Sequence, residues 1–202
     1  MPNVSPRILY LASASPRRAS LVKLLGVHRI IIKPADVDET LVGDPDPEHF
    51  ASGLAIKKAQ ATASLLANEE AGIVLGADTI VVIGNNILNK PVDTDDAKSM
   101  LATLSGNTHT VFTGLALVKS ITQETRQFVE ATRVTFRKLD TDEIARYVAG
   151  GSPMDKAGAY GIQDDHGAVF ISRIEGDYYN VVGLPLSSTY VHLKEFAPTL
   201  FP

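Results

Sequence analysis

The chain has 202 residues, 45% of them hydrophobic and 21% charged, with a net charge of −4 and no cysteine. That length suits one α/β domain of two lobes spanning 1–202, with room for a sizeable core. The acidic balance argues against general nucleic-acid or membrane-surface binding, and the lack of cysteine excludes disulfides, thiolate metal sites and cysteine nucleophiles. Residues 1–7 hold no apolar signal core and no apolar run approaches membrane-spanning length, so a cytoplasmic protein is expected.

The first informative stretch is 8–26, ILYLASASPRRASLVKLLG. Residues 8–12 are an apolar run of strand length. Pro16 suits the first helical position, where its missing N–H costs nothing, and Ser15 before it is the expected N-cap. Leu21, Val22, Leu24 and Leu25 give the helix an apolar face, and Gly26 suits a left-handed stop. Arg17 and Arg18 fall in the first turn, where the helix dipole favours acidic residues instead. With the Ser13 hydroxyl and the turn's N–H groups they form a set that suits a polyphosphate. An ordinary solvated helix start, with both arginines pairing surface carboxylates, is the other reading.

A short strand is expected over 29–33. The acidic segment Asp36-Val37-Asp38-Glu39 follows, then a loop rich in Asp, Gly and Pro that ends at Pro47. On residues alone that segment reads either as a solvated loop or as a ligand-presenting one. A long helix is predicted over 47–67, its stripe formed by Phe50, Ala51, Leu54, Ala55, Ala61 and Leu65. Lys58 projects onto the middle of that stripe and Lys57 onto its edge. Lys58 therefore either snorkels to the rim or aims its charge at an anion.

The apolar runs 73–77 and 80–83 are interrupted by Asp78-Thr79, and Gly84-Asn85-Asn86 signals a hairpin. A carboxylate between two apolar runs is expensive to bury unpaired. Asp78 is thus either satisfied by backbone donors at a strand end or used to bind metal or take a proton. Asn89-Lys90-Pro91 follows. Asp93 or Thr94 caps a helix with apolar positions Ala97, Met100, Leu101 and Leu104, ending at Gly106. Two β-rich runs, 108–119 and 125–139, suggest a hairpin. Asp140 and Glu143 form a capping-box pattern for a helix to Val148. In DKAGAYGIQ, residues 155–163, Gly158 and Gly161 allow a close backbone approach, and Lys156 adds positive charge. A structural bend into a strand is the alternative. Pro185 opens a last helix running to about Phe196.

The segments LASASPRR, Asp36-Val37-Asp38-Glu39, Lys58-Ala59-Gln60-Ala61, GADTIVV, Asn89-Lys90-Pro91, DKAGAYGIQ, Gly176-Asp177-Tyr178 and 180–185 resemble, in order, the motifs of the Maf family of nucleoside triphosphate pyrophosphatases. The resemblance runs from about Ile8 to Leu193. Asn89 departs from the glycine usual before the lysine and proline. The resemblance implies an α/β fold like that of inosine triphosphate pyrophosphatases (Maf/Ham1), with a long twisted mixed sheet and two lobes around a cleft. It implies a divalent metal, magnesium or manganese, held by Glu39 and Asp78, with Asp78 catalytic. Substrate binding then falls to Ser13, Arg17, Arg18, Lys58, Lys90, Thr79 and Gln163, with Lys156 as a further candidate.

Thr79 is typical of the branch that prefers dTTP and UTP, and the Gln163 amide can pair with a pyrimidine imide edge. A homodimer is implied, with nucleoside triphosphate as the partner and neither nucleic acid nor membrane. The residues agree independently, since triphosphate hydrolysis needs cations for the phosphates and carboxylates for a metal and a water. A P-loop and an HExxH zinc pair are both missing. A regulatory protein of cell division or septum formation, binding nucleotide without significant turnover, is the alternative.

Overall fold

A computed structural model describes residues 7–39, 46–163 and 166–202. The expectations for the N-terminal segment before Arg7 and for the loop at 40–45 lie outside the described residues. The opening apolar run forms β1 (Ile8–Leu11), buried throughout. The serine turn leads into α1 (Pro16–Leu21), where Ser15 is the N-cap and accepts from the Arg18 N–H. A tight turn, Val22–Leu25, continues it and stops at Gly26 in the left-handed region. β2 (Arg29–Ile32) and α2 (Pro47–Ser64) follow. Then come β3 (Gly72–Ile83), β4 (Asn86–Leu88) and α3 (Thr94–Leu104). The chain continues through β5 (Thr108–Lys119), β6 (Thr125–Phe136) and α4 (Thr141–Ala149). β7 (Ile171–Glu175), α5 (Tyr178–Val182) and α6 (Leu186–Phe196) complete it.

These strands make one mixed seven-stranded sheet in the order β2-β1-β3-β5-β6-β7, with β4 paired to β3. The α/β class is as expected. β1 is parallel to both β2 and β3, and the β3–β4 and β6–β7 pairs are antiparallel. Burial of β1 from end to end is what parallel strands covered on both faces require. No helix among the described residues is long and apolar enough to cross a membrane.

Contacts divide the chain into two compact units. The first comprises Met1–Asp78, Thr113–Glu130 and Gly183–Pro202. Its core joins Ile8, Tyr10 and Val74 of the sheet to Ala55, Ala59 and Ala63 of α2. The second comprises Thr79–Phe112 and Ala131–Val182. It is built around Leu101, Leu104, Val111, Phe136, Tyr147, Tyr160 and Phe170. Each large side chain buried in this way contributes roughly 1.5–3 kcal/mol.

Helix α2 differs from its predicted stripe. The row facing the sheet is Ala51, Ala55, Ala59 and Ala63, flanked by Leu54, Lys58 and Thr62. Leu65, expected in the core, is 58% exposed, and Phe50 and Ala61 are only partly buried. The reason lies in the strands beneath. A Cβ at Gly76 would run into the Ala55 carbonyl, and one at Gly114 into the backbone of Ala51 and Ser52. The helix lies so close to the sheet that only small side chains fit between them.

Further local expectations change. Asp78 does not break β3, which runs unbroken through it, because the strand ladder needs only backbone groups. Half of the capping box at α4 is made: the Asp140 side chain makes no cap bond, whereas the Glu143 carboxylate accepts from the Asp140 backbone N–H and is also ion-paired with Arg137. Strand β6 ends at Phe136, short of 139, where the Arg137 N–H turns to the Phe170 carbonyl. The Gly176-Asp177-Tyr178 segment is a joint. Asp177 accepts from the Tyr179 and Asn180 N–H groups, and its own N–H donates to the Thr132 hydroxyl.

Candidate active site

The first unit gathers Ser13, Arg18, Glu39, Lys58 and Asp78. Asp78 stands on the buried strand β3 and is 8% exposed. Lys58 comes from the middle of α2 and is 9% exposed, whereas Lys57 is exposed. The close seat of α2 over Gly76 and Gly114 brings the Lys58 ammonium to the strand. Its Nζ lies 2.6 Å from Asp78 Oδ1 and 2.6 Å from Glu39 Oε1. Two carboxylates from distant parts of the chain therefore converge on one cationic atom. Lys58 neither snorkels to solvent nor sits among purely apolar groups.

Arg18 is buried next to this triad. Its Nε donates to the Gly183 carbonyl at 2.8 Å and its Nη1 to Ser13 Oγ at 3.3 Å. Burial pushes the guanidinium below its ordinary value, the Asp78 charge pulls it back up, Arg17 adds to the lowering and Glu39 opposes it. An arginine stays charged throughout. Ser13 Oγ also accepts from the Ser15 N–H at 3.2 Å. It accepts twice from the protein, which leaves its own proton to donate. Arg17 is half-buried on the same turn.

The remaining predicted residues belong to the second unit. Thr79 follows Asp78 on β3 and is half-buried. Lys90 is exposed in the bend after β4, and Gln163 is exposed at the end of the segment that carries it. Lys156, the further candidate, is buried. Its Nζ donates to Asp155 Oδ1 at 2.7 Å and to the Ser152 carbonyl, which gives its charge a local structural use. The lysine and glutamine segments are tied together, because the Gly158 N–H donates to the Asn89 carbonyl at 3.1 Å. Gly158 has φ of 68°, and a Cβ there would press on Val81. Both facts demand glycine.

Residues that sequence reasoning passed over hold this segment. His109 is 2% exposed, and its Nε2 lies 2.7 Å from the Tyr160 hydroxyl. Its ring meets Phe136 and Tyr160 edge to face. The Gly161 N–H donates to the Tyr147 hydroxyl at 3.3 Å. A lone histidine inside a β-rich run gives no signal of such a partner. The Gly183 carbonyl under Arg18 was equally silent, although it lies in a segment already singled out. Among the described residues no group of three or more His, Cys, Asp or Glu is placed to hold a metal ion.

Known proteins resemble this chain over nearly its whole length. The dTTP/UTP pyrophosphatase of Bacillus cereus strain B4264 is 46% identical over 190 residues, covering 94% of this chain and 96% of the relative. The dTTP/UTP pyrophosphatase of Bacillus thuringiensis subsp. konkukian strain 97-27 is 47% identical over the same shares. Among solved structures, the nucleoside-triphosphatase / dITP/XTP pyrophosphatase of Mycobacterium abscessus is 13% identical with a TM-score of 0.39, over 65% of this chain and 75% of that one. That likeness is too distant to bear on the argument. The family described as Maf-like protein matches residues 8–196. Nearly the whole chain is covered by that match and by relatives close to half identical, so the chain belongs to the Maf-like protein family.

Proposed function

We propose that this protein hydrolyses nucleoside triphosphates, dTTP and UTP foremost, to nucleoside monophosphate and pyrophosphate. The observation that carries the reading is the buried Lys58 ammonium held by Asp78 and Glu39 next to Arg18. Opposite charges meet where little water screens them, which suits a polyanion arriving with a counter-cation. The names of the relatives support the choice of nucleotide.

Glu39 and Asp78 fit a divalent cation. Their oxygens already converge on a single positive atom, and a magnesium-sized ion is commonly held by one or two carboxylates plus phosphate oxygens. When bound, such an ion neutralises phosphate charge and makes a water more acidic. The chain's own groups do the rest. Arg17, Arg18 and Lys58 take triphosphate oxygens, and Ser13 donates its hydroxyl proton to another. Asp78 accepts a proton from the attacking water. The water oxygen bonds to the α-phosphorus, and the bridging oxygen leaves with pyrophosphate, whose charge Lys90 meets. Thr79 limits the space at the base, and the Gln163 amide pairs with the imide edge of thymine or uracil. Cytosine replaces a carbonyl by an amine and leaves part of that amide unpaired. The same reading has the protein acting as a homodimer in the cytoplasm.

The test is product analysis across a panel of nucleoside triphosphates with magnesium or manganese. Pyrophosphate is expected as the first product. Asp78→Asn keeps the shape and removes the base, so turnover should fall about a hundred- to ten-thousand-fold. Near-normal turnover in that variant removes Asp78 from the mechanism. Nucleotide binding without pyrophosphate release would favour a regulatory role.

A further inference from the structure

We infer that Lys58 is a resident occupant of the cation position and that it makes divalent cation and nucleotide bind as a pair. The inference rests on the reading of Glu39 and Asp78 as the cation's ligands. Its basis is the single ammonium 2.6 Å from both carboxylates. A divalent ion arriving alone meets two carboxylates already bridged. To bind, it must displace the ammonium from both carboxylates, the exposed Glu39 and the buried Asp78, beside Arg18, a further buried positive charge. The backbone of Lys58 cannot move toward the sheet, because α2 is seated against Gly76 and Gly114 with no room beneath. The flexible side chain is what moves, and another anion is the partner that best replaces the two carboxylates it gives up.

A triphosphate is that anion. When its oxygens arrive at Arg18 and Ser13, the ammonium exchanges carboxylate partners for phosphate partners. Glu39 and Asp78 are then released to the cation that accompanies the nucleotide. The exchange keeps the two buried charges of the triad, Lys58 and Asp78, paired throughout, which is the condition for burying charge at all. Coupling of this kind is reciprocal: nucleotide tightens the cation by the factor by which the cation tightens nucleotide. It also guards the site, since a carboxylate pair held by its own lysine collects metal less tightly in the absence of substrate.

The experiment measures Mn²⁺ binding to the whole protein by electron paramagnetic resonance, with and without an α,β-imido analogue of dTTP. In the wild type the analogue should tighten Mn²⁺ by at least about tenfold, the scale of one charge-assisted hydrogen bond. Lys58→Met keeps the stem and deletes the charge. Without nucleotide it should bind Mn²⁺ at least about tenfold more tightly than the wild type, and the factor by which the analogue tightens Mn²⁺, part of which its own phosphate oxygens supply in every variant, should be about tenfold smaller than in the wild type. Lys58→Gln should behave alike, and circular dichroism identifies any variant that does not fold. Wild-type Mn²⁺ affinity that is indifferent to the analogue overturns the proposal. So does Mn²⁺ affinity in folded Lys58→Met and Lys58→Gln that is no higher than in the wild type. Adding Asp78→Asn to Lys58→Met separates the two layers. If the double variant keeps the tight site, the carboxylate pair is not the cation's ligand set, and the underlying reading falls together with the exchange.

Discussion

His109 offers a test of the second unit that needs no substrate. It is enclosed by Phe136 and Tyr160, and its Nε2 is engaged with the Tyr160 hydroxyl. Its Nδ1 has no hydrogen-bond partner among the described residues. A proton on Nδ1 would therefore sit buried without an acceptor, and burial lowers the imidazole from its ordinary 6.5 to about 4. The sign follows from linkage. The unfolded chain takes up this proton first, so the group's contribution is fully present above 6.5 and is lost as the pH falls toward about 4. A shift of that size corresponds to ~3 kcal/mol across the window. His109→Gln is neutral at every pH, and its amide nitrogen can stand where Nε2 stands. It should be less stable than the wild type at neutral pH by about 1–3 kcal/mol, because a buried amide oxygen is left poorly paired. Its stability should then fall less on acidification, so that the two curves converge. Urea unfolding at a series of pH values checks this, and subtracting the variant removes the background from carboxylates such as Glu143, which Arg137 holds below the usual range. Two parallel curves would refute the argument that His109 is kept neutral by its surroundings.

Gly114→Ala puts a methyl group into the Ala51 and Ser52 backbone. It should cost about 3 kcal/mol as overpacking and, by lifting α2, should also weaken turnover in the fraction that stays folded. Gly53→Ala on the same helix meets nothing within 4 Å and should instead stabilise by about 1 kcal/mol through helix propensity; thermal melts of the two variants should move in opposite directions. Arg18→Ala should lower turnover of every nucleotide about equally, by roughly 1.5–3 kcal/mol in barrier terms. It should also lower the melting temperature, because the Gly183 carbonyl loses its donor; an activity loss confined to one base would contradict the phosphate role. Gln163→Ala should narrow the preference for dTTP and UTP over CTP, read as a ratio of kcat/KM values, and an unchanged ranking would assign base reading elsewhere.

The sequence alone determined what depends on near neighbours. The Ser15 cap, Pro16 at the helix start and the stop at Gly26 were legible because caps and turns are decided within a few residues. So were the strand at Ile8 and the inward projection of Lys58 rather than Lys57, which follow from strand length and helical period. Arg17, Arg18, Lys58 and Asp78 were legible as an imbalance, since they stood where burial or the helix dipole should have excluded them, whereas Glu39 and Lys90 stood out only through the family resemblance. Only the tertiary structure decided which charge meets which. It placed Arg18 on a carbonyl 165 residues away and gave Asp78 and Glu39 the same ammonium. It also gave Lys156 to Asp155, a neighbour that pattern reading had not paired with it. The phase of α2 was decided there too, because the alanine face was selected by glycines on β3 and β5 that lie far from it in sequence. Hydrophobic period says that a face is buried, but the depth of the groove that receives it is a property of the other element.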